Sequence, residues 1–69
     1  MNIDLYYQLD ECLSICRRLS DLVERDRDDF SQCARGELYE TYRKNCTIMQ
    51  EELDKFKNQL LLLREEQLL

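Results

Sequence analysis

The stretch Cys33-Ala34-Arg35-Gly36-Glu37-Leu38-Tyr39 decides the fold, because it holds the only glycine of a 69-residue chain that has no proline. Glycine adopts the positive φ values that often close a helix, and Arg35 has the charge that favours a helix end. Glu37 has the charge that favours a helix start, and Asn2 or Asp4 can cap the first helix. The stretch predicts one domain over 1–69: helix 1 at about 3–34, a turn at about 35–37, and helix 2 at about 38–67.

Seam residues, many of them apolar, recur three and four positions apart on both sides of this turn. Such a 3.5-residue repeat keeps one stripe of a helix facing a partner helix. The stripes are Leu5, Leu9, Cys12, Cys16, Leu19, Val23, Asp26, Phe30 and Cys33, then Tyr39, Tyr42, Cys46, Met49, Leu53, Phe56, Leu60, Leu63 and Gln67. Paired from the middle outwards, each pair of residue numbers sums to 72, twice the number of Gly36. The pattern predicts an all-α antiparallel helical hairpin, a two-helix coiled coil.

This register assigns an intrachain seam between the two helices. The seam consists of Leu9, Cys12, Cys16, Leu19, Val23, Phe30, Tyr39, Tyr42, Met49, Leu53, Phe56, Leu60 and Leu63. Phe30 is expected to meet Tyr42, and Cys33 to meet Tyr39. Asp26 is the polar exception, opposite Cys46. Either Asp26 fixes the register at some cost in stability, or the seam is open to water near the turn and Asp26 pairs with a neighbouring arginine.

Two other chain paths compete with the turn at Gly36. A turn within 26–31 follows from the polar run at 25–29, but it would put Phe30 and Cys33 on helix 2, out of phase with the second stripe. A bent or continuous rod that pairs only between chains is the other path. It is disfavoured because the two stripes are out of phase by two residues, about 200° around one straight helix.

Helix 1 has more apolar surface than one neighbouring helix covers, and helix 2 becomes leucine-rich near its end. A chain this short rarely gains more than about 3 to 5 kcal/mol from a single core, so we expect an additional packing partner. The predicted partner or oligomer interface consists of Tyr6, Leu13, Ile15, Leu22, Leu62 and Leu69. The partner is a second copy, which completes a four-helix bundle, or another helical protein. Alternatively, the chain is a segment of a longer coiled coil.

The four cysteines favour neither a disulfide nor a metal site. Cys12 and Cys16 lie one turn apart, which resembles the CX3C element of small cross-linked intermembrane-space hairpins. That pattern needs a second CX3C on the facing helix, whereas Cys33 and Cys46 are separated by twelve residues. No cysteine pair sums near 72, and zinc needs four converging ligands in a chain that has no histidine. We expect buried free thiols, with sulfur contacts between chains as the exception, and no cofactor.

Composition excludes several classes of function. Without histidine, tryptophan or a glycine-rich phosphate loop, neither an activated nucleophile nor a phosphate site can be assembled, so we expect no enzyme and no small-molecule substrate. The first residues have no basic region before an apolar one, and the longest apolar run, Leu60 to Leu63, is too short to cross a bilayer. We expect a soluble intracellular protein in a reducing compartment, the cytoplasm, with no membrane insertion.

Three functions fit this description. The first is an oligomerising helical-hairpin scaffold or adaptor, which acts through protein-protein interaction. The second is a small chaperone that holds a helical client in an export or assembly pathway, since the net charge of -5 accompanies a surplus apolar surface. The third is a dimeric RNA-binding hairpin, similar in length and plan to small plasmid copy-number regulators. Nucleic acid is the least favoured partner, because Arg17, Arg18 and the line of Arg43, Lys57 and Arg64 are interspersed with acids.

Overall fold

The fold is an all-α hairpin of two long helices packed side by side. The computed structural model describes residues 1–33 and 35–69, without the side chains of Ser31 and Cys33. Helix α1 spans Ile3–Cys33 and helix α2 spans Glu37–Glu66. The Cα atoms extend over 52 × 15 × 11 Å. The predicted two-helix hairpin is confirmed, whereas the predicted end of helix 1 at residue 34 and the pairing of Cys33 with Tyr39 lie outside what the structure describes.

The turn lies at Gly36. Because α1 is continuous through Cys33, a turn within 26–31 is wrong. Gly36 has φ 120° and ψ 169°, so it differs from the left-handed helical cap expected of a glycine at this point. This extended, positive-φ conformation is essentially restricted to glycine. The carbonyl of Gly36 accepts a hydrogen bond from the Glu40 N–H at 3.1 Å, which starts α2 without a side-chain cap.

The opposite end of the hairpin is closed through Asn2. Its side-chain oxygen accepts a hydrogen bond from the Leu5 N–H at 3.0 Å, so Asn2 caps α1. Its own N–H donates to the carbonyl of Gln67 at 3.1 Å, just after the end of α2. The residue that caps the start of α1 is therefore tied to the residue that follows the end of α2.

The core is narrow. Leu13, Cys16 and Leu60 form a buried cluster against which Leu9, Cys12 and Leu61 pack, and Cys46 is buried nearer the turn. Leu13 is the most deeply buried of these side chains, at 1% exposure. Its assignment to the partner interface is therefore wrong: Leu13 belongs to the hairpin's own core.

Each helix is turned about its axis relative to the predicted seam. The observed interface is bordered by the half-buried Asp10, Cys12, Asp26 and Leu61. Between them, its side chains are buried or half-buried apart from the more exposed Phe30: Tyr6, Leu9, Leu13, Cys16, Ser20, Val23, Arg27 and Phe30 on α1, and Tyr39, Arg43, Cys46, Gln50, Leu53, Lys57, Leu60, Arg64 and Gln67 on α2. The spacing is again three and four. Every second position, however, is one residue later than predicted, which corresponds to a rotation of roughly 50° at 100° per residue.

Long polar side chains account for this rotation. Arg27, Lys57 and Arg64 are themselves largely buried because their aliphatic stems lie over one side of the seam. Their charged ends find partners at the rim, except that the Nε atom of Arg64 is buried without a hydrogen-bond partner. The stems cover the core on that side, so the apolar half of each stripe is left on the other side.

Candidate interaction surface

One side of the hairpin is apolar over most of its length, up to Asp26 on α1, and we call this side the apolar face. It consists of the exposed Leu5, Leu19, Tyr42, Met49, Phe56 and Leu63, together with the half-buried Cys12. Most of these residues were predicted to lie in the intrachain seam. The structure instead leaves Leu19 43% exposed and Met49 49% exposed. They border the seam without being covered by it.

Helix geometry puts the two halves of this face on the same side of the hairpin. On α1 its residues are spaced by seven, at 5, 12 and 19, and on α2 they are spaced by seven from 42 to 63. On α1 each of them lies four residues before one of the seam positions 9, 16 and 23. On α2 each lies four residues before one of the seam positions 46, 53, 60 and 67. Because the helices are antiparallel and turned in the same sense, both rows point to the same side.

Contacts near the turn agree with this placement. The ring of Phe30 lies 4.9 Å from that of Tyr42 and 5.8 Å from that of Tyr39, between ring centroids. A hydrogen bond with Cys46 raises the pKa of Tyr42, and burial and the nearby Asp26 carboxylate raise it further. Asp26, one heptad after Leu19, and Tyr42 are thus neighbours across the seam.

Asp26 resolves the alternatives left open by the sequence. Its carboxylate lies 3.8 Å from the guanidinium of the adjacent Arg25, and about half of its side chain is exposed. It therefore sits at a seam open to water and pairs with a neighbouring arginine.

The opposite side of the hairpin is polar. The Arg64 guanidinium donates to the Asp10 carboxylate at 2.5 Å and lies 5.5 Å from the centre of the Tyr6 ring. The hydrogen bond and nearby charge of Asp10, with the Tyr6 and Glu65 charges, outweigh burial and raise the pKa of Arg64. Tyr6, which was expected at the partner interface, is therefore half-buried beneath an arginine of its own chain.

A shallow groove of about 320 Å³ follows on this polar side. It is lined by Leu13, Arg17, Asp54, Lys57, Asn58 and Leu61. The Lys57 ammonium is 2.9 Å from the Asp54 carboxylate, and nearer the turn Arg27 donates to the Gln50 amide oxygen at 2.6 Å. Several cations on this side thus already have partners within the chain, which is unlike an open basic surface for a polyanion.

The remaining predicted interface residues lie on the outer sides of the helices. Ile15 and Leu22, seven residues apart, are 55% and 41% exposed and form the outer edge of α1, next to the apolar face. Leu62 and Leu69 are strongly exposed and lie seven apart on the outward side of α2. The corresponding edge of α2, beside the apolar face, is polar through Asn45, Glu52, Gln59 and Glu66.

The thiols of Cys12, Cys16 and Cys46 are free in the described structure. Burial raises the pKa of Cys16, and the charge of Cys12 and a hydrogen bond with it raise the pKa further. Within residues whose placement is described, no group of three or more histidine, cysteine or acidic side chains is arranged for a metal ion. In the same part of the chain, neither helix is long and apolar enough to cross a membrane.

Sequence reasoning missed the separation of one wide stripe into a covered and an open half. The signal that could have revealed it is the row at 43, 50, 57 and 64: long-stemmed residues, three of them basic, at heptad spacing along one flank of the second stripe. Comparisons of this chain with protein-family models, with curated proteins and with solved structures gave no match.

Proposed function

We propose that this chain is a non-enzymatic protein-protein interaction module, a helical-hairpin scaffold that dimerises through its apolar face into a four-helix bundle. The observation that supports this proposal most directly is the heptad spacing of the exposed residues. A row repeated every seven residues matches the side of another helix running along it, and the apolar face presents two such rows side by side. A surface of this kind accommodates a pair of helices.

The size of the face agrees with a second hairpin as the occupant. The two larger extents of the Cα atoms are 52 and 15 Å, so one whole side of the hairpin has a projected area of roughly 800 Å²; each partner contributes accessible surface of this order to a standard protein-protein interface. A second copy has the same length and the same two rows, so it covers the face from end to end. Its binding also enlarges the narrow core of a lone two-helix hairpin.

The molar mass in solution tests this proposal. Sedimentation equilibrium at two protein concentrations, with and without a reductant, should give a dimer of free thiols whose thermal midpoint rises with concentration. A wild-type monomer that unfolds cooperatively at every concentration would contradict dimerisation. It would favour a module, such as a chaperone, that reserves the face for a different helical protein.

A matched pair of variants locates the interface. Met49 and Ile48 are neighbours of similar exposure, 49% and 56%, but Met49 lies on the apolar face and Ile48 points outward. Met49→Glu should raise the dimer dissociation constant at least about 100-fold, because the carboxylate would have to be buried without a partner. Ile48→Glu should leave it unchanged. Equal effects of the two variants would place the interface elsewhere.

A further inference from the structure

We infer that in this dimer α1 packs against α1 of the second copy and α2 against α2, each pair antiparallel. The inference rests on the proposed function, because it specifies how the second copy lies on the apolar face. Two symmetric arrangements cover that face. A two-fold axis across the helices joins like helices, whereas an axis along the helices joins α1 of one copy to α2 of the other.

The outer edges of the two helices distinguish these arrangements. In a four-helix bundle each helix packs against its second neighbour through the edge beyond the apolar face. On α1 the middle of that edge is apolar, through Ile15 and Leu22, between the polar Gln8 and Asp29. On α2 it consists of amides and carboxylates, among them Glu52 and Gln59.

Joining like helices brings apolar edge to apolar edge and polar edge to polar edge. An axis across the middle of α1 places Ile15 beside Leu22 of the second copy, and it places Leu22 beside Ile15 of the second copy. In the other arrangement, Leu22 would lie beside Glu52 and Ile15 beside Gln59. This would either bury a carboxylate or leave both apolar side chains in water. Glu52 already has a partner in Lys55 at 3.2 Å, so the α2 edge does not need the second copy.

The position of the axis is consistent on both helices. The midpoint between Ile15 and Leu22 falls next to Leu19, which is on the apolar face and lies close to the centre of Ile3–Cys33. Leu19 therefore packs against Leu19 of the second copy. The cross-seam pairs Asp10 with Arg64 and Phe30 with Tyr42 set this level opposite residues 53 to 55, between Met49 and Phe56. Phe56 therefore lies nearest the axis on α2, and Met49 lies on the other side of it.

Distances between spin labels test the arrangement. A nitroxide attached through an encoded keto amino acid, which leaves the native thiols unmodified, replaces Asp4 or Arg18. Both residues are exposed and lie two heptads apart on one side of α1. Antiparallel α1 helices centred at residue 19 put the labels at position 4 about 45 Å apart along the bundle, at 1.5 Å per residue. The other arrangement puts them at the same end, under about 30 Å apart, because neighbouring helix axes are about 10 Å apart.

The label at position 18 is the matched control, because it lies level with the axis and gives under about 30 Å in either arrangement. A short distance at 18 with about 45 Å at 4 is the expected result. Short distances at both positions would overturn the α1-to-α1 packing while leaving the dimer intact. No dipolar coupling at position 18, together with a monomeric mass, would overturn the proposed function and this inference with it.

Discussion

Leu13 and Leu19 lie six residues apart on α1 and have opposite environments: Leu13 is 1% exposed in the hairpin core, and Leu19 is 43% exposed on the apolar face. Six residues correspond to about 120° around a helix after whole turns are removed. One leucine therefore contacts α2 of its own chain, whereas the other is available to a second chain. The two residues separate the stability of the hairpin from the stability of the assembly.

Substituting these leucines should produce different losses. Leu13→Asp should unfold the hairpin, because a carboxylate would be buried beside Cys16 and Leu60 without a partner. Leu19→Asp should dissociate the dimer and retain much of the helix content. Far-UV circular dichroism together with sedimentation measures both effects. If the two variants lose helix equally, the hairpin does not exist apart from its oligomer.

Replacing Gly36 tests the turn. A side chain at this position meets open space, so the effect of Gly36→Ala arises from the backbone alone. At φ 120° and ψ 169° an L-residue is strained, and we expect a loss of about 1 to 3 kcal/mol in the free energy of unfolding. Urea unfolding of chemically synthesised chains provides the measurement.

D-alanine at position 36 is the matched control, because its mirror-image preferences allow this backbone conformation. We expect the D-alanine chain to be at least as stable as the wild type. Equal losses with L- and D-alanine would show that the strain at Gly36 does not contribute.

The ion pair of Asp10 and Arg64 should contribute modestly to stability. Arg64 is mostly buried, but about half of the Asp10 side chain is exposed, so water screens the interaction. A double-mutant cycle of Asp10→Asn and Arg64→Met should give a coupling of about 0.5 to 1 kcal/mol that decreases with added salt. Methionine keeps an apolar stem over the seam. Strictly additive losses would mean that the pair is not formed in solution.

Stability should fall in alkaline solution through Cys16. Its pKa is raised in the folded chain by burial and by Cys12, so the folded state holds this proton more tightly than the unfolded state. The resulting stabilisation is complete below the ordinary thiol pKa of about 8.5 and is lost as the pH rises through the folded value. In urea unfolding at pH 7 to 10, the stability difference between wild type and Cys16→Ala should shrink. A constant difference would contradict this assignment.

The apolar stripes and the single glycine determined, from the sequence alone, that this chain is an antiparallel hairpin. They also predicted the pairing level near the turn, where Phe30 meets Tyr42. These features follow from a local repeat and from one backbone position, so they can be read without knowing what each side chain contacts.

Only the tertiary structure decided which half of each stripe is covered. A stripe wider than one helix contact leaves the rotation of the helix free over several tens of degrees, and side chains from both helices set it together. Here the stems of Lys57 and Arg64, with the partner that Asp10 provides across the seam, turn Leu13 inward and leave Leu19 and Met49 outside. That balance depends on residues more than fifty positions apart, which no local pattern contains.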